Sequence, residues 1–372
     1  MLTEEIEILG HLSAPDQAAW DRLADDRSFY LGTRWLAFQQ SQEHEGDLQF
    51  VCVRSGGRLV AGVAVFIVGE PSSKHYDPRR LFPDVVSNAR ITLVGGTRGF
   101  LSGPLGDGAS TLGLLLQGIQ TIADTHSEGV AWWLYTSSED AAAITAESRV
   151  VPRMLNAECV IELSGEGFGD YLASLPGKRR EQVRYDLRAF ERAELSIEET
   201  LLSKSLEECG LLLAQTQQKY GLSTSAADMT EWLSDLNLAS ADSGRVYLCR
   251  SVAGEPIGFS LVYSQGNSDY VRAVGFDYQR APHVGEYFVL LCYEPLRAAY
   301  KRGATTLHLG SGAYRSKARR GASIRPLWAV PSNNRGWDPA LSLNHNILRA
   351  SELADEIPGD ALVMSGATRI WL

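Results

Sequence analysis

VCVRSGGRLVAGVAVFI (51–67) and YLCRSVAGEPIGFSLVY (247–263) align without a gap at an offset of 196 residues. Arg54 and Ser55 fall on Arg250 and Ser251, and Gly62 falls on Gly258. Each stretch is two β-rich runs joined by a polar, glycine-containing turn, which is the pattern of a hairpin. The continuations of the two hairpins also match. The first continues as ITLVGG (91–96), a loop TRGFLSGPLGDGAS (97–110), a helical run TLGLLLQGIQTIADTH (111–126) and a strand VAWWLYT (130–136). The second continues as DYVRAVGF (269–276), a loop DYQRAPHVG (277–285), a helical run EYFVLLCYEPLRAAYKRG (286–303) and a strand TTLHLGS (305–311). A helix joining two neighbouring strands implies that they are parallel. Pro295 lies inside the second helical run and predicts a kink, because proline has no N–H to give.

Working outward, each hairpin is preceded by two helical runs. These are APDQAAWDRLADD and GTRWLAFQQSQ in the first half, and SLEECGLLLAQTQQKYG and AADMTEWLSDLNLA in the second. The order α-α-β-β-β-α-β therefore occurs twice, an α/β (α+β) chain of two mixed sheets flanked by helices. The expected domains are 1–160 and 161–372, the second opening on a basic helix over 177–192.

Composition sets limits. The chain has 372 residues, 44% hydrophobic and 22% charged, with a net charge of −10. That is the profile of a soluble globular protein and argues against DNA as a partner. No stretch approaches the ~18 apolar residues of a membrane helix. MLTEEIEILGHL is acidic where a secretory signal is basic, so the expected location is the cytoplasm. The five cysteines (Cys52, Cys159, Cys209, Cys249, Cys292) show no CxxC spacing, and no metal site is expected. No GxSxG, HExxH or Walker loop is present.

Charge is distributed unevenly. Pro295 to Trp337 contains no Asp or Glu but nine Lys or Arg: Arg297, Lys301, Arg302, Arg315, Lys317, Arg319, Arg320, Arg325 and Arg335. Such a run suits a phosphate- or carboxylate-bearing ligand. A second basic feature is SLPGKRREQVRYDLRAFERAELSIEE (174–199). As a helix from Gly177 it sets Arg180, Arg184 and Arg188 in one stripe, with Val183, Leu187 and Phe190 behind it and Asp186 and Glu191 on the flanks.

The doubled α-α-β-β-β-α-β order resembles two GNAT-type acyltransferase domains in tandem, the arrangement of the FemAB-like and BioF2-like N-acyltransferases. Lys178, Arg180, Val183 and Arg184 match the Lys-x-Arg-x-x-Ile-Arg motif that opens the second domain of that family. The stretch from Leu307 to Gly321 resembles the family's closing strand, loop and basic turn. Lys317 falls on the family's lysine, and Ser311, Tyr314, Arg319 and Arg320 lie beside it. GNAT enzymes that use acyl-CoA carry a Gln/Arg-x-x-Gly-x-Gly/Ala loop, whose N–H groups hold the pyrophosphate. Here Gln279 to Glu286 has Gly285 as its one glycine, Pro282 lacks an N–H, and Glu286 sets a negative charge at the first turn.

The resemblance implies an acyltransferase that forms an amide, taking an aminoacyl or acyl group from an activated donor to an amine of a small molecule or peptide. Aminoacyl-tRNA is the favoured donor and a carrier-protein thioester is possible. The alternatives are an acyl-CoA-dependent GNAT N-acetyltransferase and a non-catalytic recognition protein of the same fold. No cofactor is expected to be tightly bound, the acyl donor being a co-substrate. Transfer requires a donor for the tetrahedral oxyanion and a route for the ammonium proton. The candidates near the chemistry are Lys317, Arg319 or a backbone N–H near Gly310 for the oxyanion, and Asp277, Glu286, Glu294 or His308 for the proton. Arg272, Gly285 and the basic residues named above are candidates for binding the donor.

Overall fold

The computed structural model describes residues 4–25, 27–43, 46–82, 84–85, 90–106, 108–358, 361–364 and 371. The chain forms two compact units, one made of 1–158 and 324–372, the other of 159–323. The first boundary falls near the expected 160. The sequence places the C-terminal segment in the second half; the structure returns 324–372 to the first. The reason is strand pairing.

In the first unit, β1 (Glu4–Leu9), β2 (Asp47–Ser55), β3 (Arg58–Val68) and β4 (Ile91–Val94) are antiparallel neighbours in that order. Between β1 and β2 lie α1 (Ala14–Asp25) and α2 (Thr33–Ser41), and a single helical turn, α3 (Pro78–Leu81), precedes β4. The helix α4 (Ala109–His126) crosses to β5 (Ala131–Thr136), which runs parallel to β4. After α5 (Ser138–Ser148) the chain enters β6 (Arg153–Glu162) and leaves this unit. The neighbour that completes β5 is β12 (Ser323–Pro331), which pairs antiparallel at Trp328, Val330 and Pro331. The final helix, α13 (Pro339–Glu356), belongs to the same unit. Helices cover both faces of the sheet. Trp20 of α1 packs edge-on against Phe50, while Gly118 of α4 lies against Val51, the next residue along β2 and so on the opposite face. The central strands accordingly read as nearly continuous apolar runs.

The second unit repeats the plan. After α6 (Phe168–Ser174) and α7 (Gly177–Arg192) come β7 (Ser196–Leu201), α8 (Leu206–Lys219), α9 (Ala226–Ala239), β8 (Arg245–Arg250), β9 (Pro256–Gln265) and β10 (Ser268–Phe276). A helical run then crosses to β11 (Thr306–His308), parallel to β10. That run is α10 (Glu286–Phe288), a π-turn at Val289–Tyr293 and α11 (Glu294–Arg302). The π-turn directly precedes Glu294-Pro295 and accommodates the N–H that proline withholds. A short helix, α12 (Tyr314–Ala318), follows β11. The neighbour of β11 is the far end of β6, antiparallel at Val160, Ile161 and Glu162. Thus each unit's last sheet position is taken by a strand that enters from the other half of the sequence.

The shared Arg-Ser has a structural meaning. Arg54, at a bulge opposite Glu5, donates to Glu7 two residues further along β1 and to Asp16, the third residue of α1. Arg250, at a bulge opposite Ser196, donates to Glu198 two residues further along β7 and to Glu208, the third residue of α8. Both arginines tie the edge strand to the following helix, and the Arg54 guanidinium holds Asp16 below the usual carboxylate range. Gly62 and Gly258 also act alike: a Cβ on the first would strike Trp20 at 2.4 Å, and on the second Phe276 at 2.7 Å. Missing from the expected order are β1 and β7, two strands whose polar, half-exposed residues carry little apolar alternation.

Candidate functional site

The β10·β11 ladder holds only three residue pairs and stops at Tyr270↔His308, while β10 runs on to Phe276. Past that point β11 turns to β6, with the Leu309 N–H on the Cys159 carbonyl (2.8 Å) and the Cys159 N–H on the Gly310 carbonyl (3.1 Å). The two parallel strands therefore part at their C-terminal ends, where α/β sheets accept ligands. At the parting, β10 carries a bulge between Val271 and Ala273, which takes Arg272 out of the β9 register. Residues 272–274, 308 and 310–312 are half-buried, although β10 is a central strand.

The equivalent place in the first unit is closed. There too the β4·β5 ladder has three pairs, but the loop behind β4 returns into the gap. Leu105 exchanges backbone hydrogen bonds with Gly62 (2.8 and 3.1 Å), and Ser102 donates its N–H to Tyr135 (3.1 Å) and its hydroxyl to Leu134 (2.6 Å). Every residue of β4 and β5 is buried.

The expected site residues all lie in the second unit, with differing surroundings. His308 stacks on Tyr270, rings 4.4 Å apart and 11° from parallel. The guanidinium of Arg272 lies over Trp232 at 5.1 Å. Ser311 and Tyr314 share a hydroxyl contact of 2.9 Å. Lys317 is buried, and its ammonium donates to the carbonyls of Leu309 (2.8 Å), Gly310 (3.2 Å) and Ser311 (3.0 Å). An ammonium has three N–H donors, so in this conformation Lys317 shapes the turn after β11 and has none left for an oxyanion.

Three of the four expected proton acceptors are engaged as well. Asp277 is buried and accepts the N–H groups of Gln279 and Arg280, both at 3.0 Å. Glu294 pairs with Arg297 one turn along α11. Glu286 is buried, and its carboxylate accepts the N–H of His283 (3.0 Å) and of Val284 (2.7 Å). The sequence expects Glu286 to repel phosphate from this helix start; in the structure its own carboxylate occupies two N–H groups of the loop just ahead of the helix.

Arg320 and Arg319 part company: Arg319 is exposed, whereas Arg320 is buried. The Arg320 guanidinium donates to Asp186 (2.7 Å), Tyr293 (3.0 Å) and the Ser316 carbonyl (3.0 Å), and lies over the Phe288 ring. The Tyr293 hydroxyl donates to Asp186 at 2.6 Å. Asp186 is thus no flank of α7 but the buried anchor of its inner face, and Arg320 is its counter-ion rather than a ligand contact. Gly285 borders this anchor, for a Cβ there would lie 3.1 Å from Asp186. On the outer face of α7, Lys178, Arg184 and Arg188 are exposed and Arg180 is half-buried; Arg184 is paired with Glu181 at 2.6 Å. Burial pushes the thiols of Cys52, Cys209, Cys249 and Cys292 up to about 12, which keeps them protonated and poor nucleophiles. Sequence reasoning missed Asp186 and Tyr293. The available signal was spacing, since Asp186 follows Val183 by three residues on the face that packs inward.

Two units of this plan, each with a helix crossing between neighbouring parallel strands, make a tandem GNAT fold. Residues 177–318 match the family model described as an acetyltransferase (GNAT) domain. Among solved structures the chain is similar to FemX (TM-score 0.63, 11% identity, 87% of this chain and 96% of that one). It is also similar to the C-terminal domain of a putative lysylphosphatidylglycerol synthetase from Agrobacterium fabrum (TM-score 0.57, 12% identity, 91% and 96%). A third is L-PGS from Bacillus licheniformis (TM-score 0.53, 11% identity, 91% and 96%). No curated protein matches the chain. Among the described residues no helix is long and apolar enough to cross a membrane.

Proposed function

We propose that the chain is an N-acyltransferase that forms an amide, with the transfer carried out at the parted ends of β10 and β11 in the second unit. An aminoacyl or acyl group passes from an activated donor to an amine of a small molecule or peptide. The observation that carries the choice of donor is Glu286. A GNAT-type cleft in which an internal carboxylate takes two N–H groups of the loop before the crossing helix is poorly suited to a pyrophosphate. Such a cleft suits a donor gripped elsewhere, and the exposed cations of α7 suit a polyanion. Aminoacyl-tRNA is therefore the favoured donor, with a carrier-protein thioester next, and a tRNA-fed enzyme works in the cytoplasm. Because Asp277, Glu286 and Glu294 are engaged, the ammonium proton leaves through His308, the substrate or water.

The test is mass spectrometry for amide product after incubation with candidate amines and each donor class: charged tRNA, acyl-carrier thioester and acyl-CoA. Product from charged tRNA is the expected result. Product from acyl-CoA alone establishes the N-acetyltransferase alternative, and none from any donor supports a recognition protein. Glu286→Ala should raise affinity for CoA roughly tenfold by freeing two N–H groups and removing a negative charge. Micromolar CoA binding by the wild type would refute the filled-nest argument.

A further inference from the structure

Of the nine cations between Pro295 and Trp337, Arg335 takes no part in the transfer site. It belongs to the first unit, beside the turn between α4 and β5. That turn and the segment after β12 are tied together by hydrogen bonds. Ser332 donates its N–H to the Ala131 carbonyl (2.8 Å), and its hydroxyl accepts the Ala131 N–H (3.1 Å). The Asn333 side chain donates to the Gly129 carbonyl (2.6 Å) and accepts the Arg335 N–H (3.0 Å). The Arg335 guanidinium itself donates to the Glu128 carbonyl. Gly129 has φ +80, where glycine is favoured, and a Cβ there would lie 2.7 Å from that guanidinium. Arg335 is therefore exposed yet held in one place.

The place it is held borders a cavity of about 120 Å³. Arg79 and Arg90 border the cavity as well, and Ile91, Val130 and Trp132 supply apolar walls. Two of the three arginines bring their own carboxylates. Asp77 accepts from Arg79 at 2.9 and 3.0 Å, and Asp47 accepts from Arg90 at 3.0 Å. Arg335 pairs with no carboxylate among the described residues. Asp124, across Gly129 from it, accepts instead from Gln120 (2.8 Å). A fixed cation without a counter-ion, set over apolar walls, is the make-up of a pocket for an anion with an apolar body. Ile91 opens β4 and Val130 directly precedes β5, so the cavity lies at the N-terminal ends of this parallel pair. Open α/β sheets take their usual ligands at the other end, where this unit is plugged by its own loop.

We propose that this cavity binds a carboxylate with a compact apolar body, of about benzoate's size. The carboxylate lies on the Arg335 guanidinium, whose remaining N–H groups present a planar fork. The body lies on Ile91, Val130 and Trp132. An apolar cavity of ~150 Å³ takes benzene, so the room here suits a body of that order. Inorganic phosphate would meet the cation but leave the apolar walls uncovered. The site is separate from acyl transfer and does not rest on that reading.

Sodium benzoate is titrated into the full chain by calorimetry, beside benzyl alcohol and inorganic phosphate. Benzoate should saturate one site and bind more tightly than either comparator. Arg335→Met should weaken it roughly 10- to 100-fold, the worth of a hydrogen bond to a charged group. Arg335 is at the surface, so its loss does not threaten the fold. Arg90→Gln, which leaves the segment after β12 intact, should weaken binding in the same direction. Absence of saturable binding, equal binding of benzyl alcohol or phosphate, or wild-type affinity in either variant overturns the proposal.

Discussion

The two units share one plan and differ in what happens after the fourth strand. In the first, the loop behind β4 comes back and hydrogen-bonds to β3 and β5, and the gap between the parallel strands is filled by the protein itself. In the second, the loop behind β10 turns straight into the crossing helix, and the strand ends stay half-exposed around a bulge. The duplicated ion pairs of Arg54 and Arg250 hold the two scaffolds alike. The lesson is that the scaffold is common property, whereas one loop decides whether a unit keeps a cleft.

The largest expected effect probes the second unit's buried anchor. Arg320→Met leaves the Asp186 carboxylate buried without its counter-ion and should cost about 3–5 kcal/mol, read as a fall in the denaturant midpoint. A loss below about 1 kcal/mol would mean that α7 is not pinned by this pair. Next comes the plug of the first unit. Gly106 has φ +84, and a Cβ there would lie 2.3 Å from the Val60 carbonyl. Gly106→Ala should cost about 2 kcal/mol or more, lowering Tm while leaving kcat/KM unaltered. Turnover that falls in a still-folded Gly106→Ala protein would give the closed unit a part in the reaction and break the contrast.

The smallest effect is a pH response of the first unit. Burial holds His345 below its ordinary 6.5, and one ring nitrogen lies 2.8 Å from the Met154 carbonyl. Its folded value is depressed, so between pH 6.5 and that lower value the unfolded chain gains a proton that the folded chain does not. The stability is fully present above pH 6.5 and is lost as pH falls towards the depressed folded value. His345→Gln should flatten the curve of unfolding free energy between pH 5 and 7; an unchanged slope would remove His345 from the account.

Much of this was open to reading in the sequence, for reasons that are local. Hairpins at 51 and 247, the crossing helices and the basic helix from Gly177 all announce themselves through period and turn chemistry. What sequence could not supply is which partner a charge finds. Lys317 reads as a free cation and proves to gather three carbonyls, because its position after β11 brings them within one side chain's length. Glu286 reads as a repulsive charge and proves to be the occupant, because the loop folds its own N–H groups onto it. Asp186 reads as a surface neutraliser and proves to be buried against Arg320, a residue 134 positions away. The edge strands β1 and β7 went unseen because their pairing comes from neighbours and not from their own pattern.

The exchange of strands β6 and β12 bears on the order in which the polypeptide matures. Residues 159–323 are contiguous and can close their sheet as soon as they have left the ribosome. The first 158 residues emerge earlier, yet the last place beside β5 stays vacant until 324–331 have been made. The part translated first is therefore finished last, and its longest-range contact is the slowest to form. A nascent chain stalled before residue 324 would carry a finished second unit and an unfinished first one.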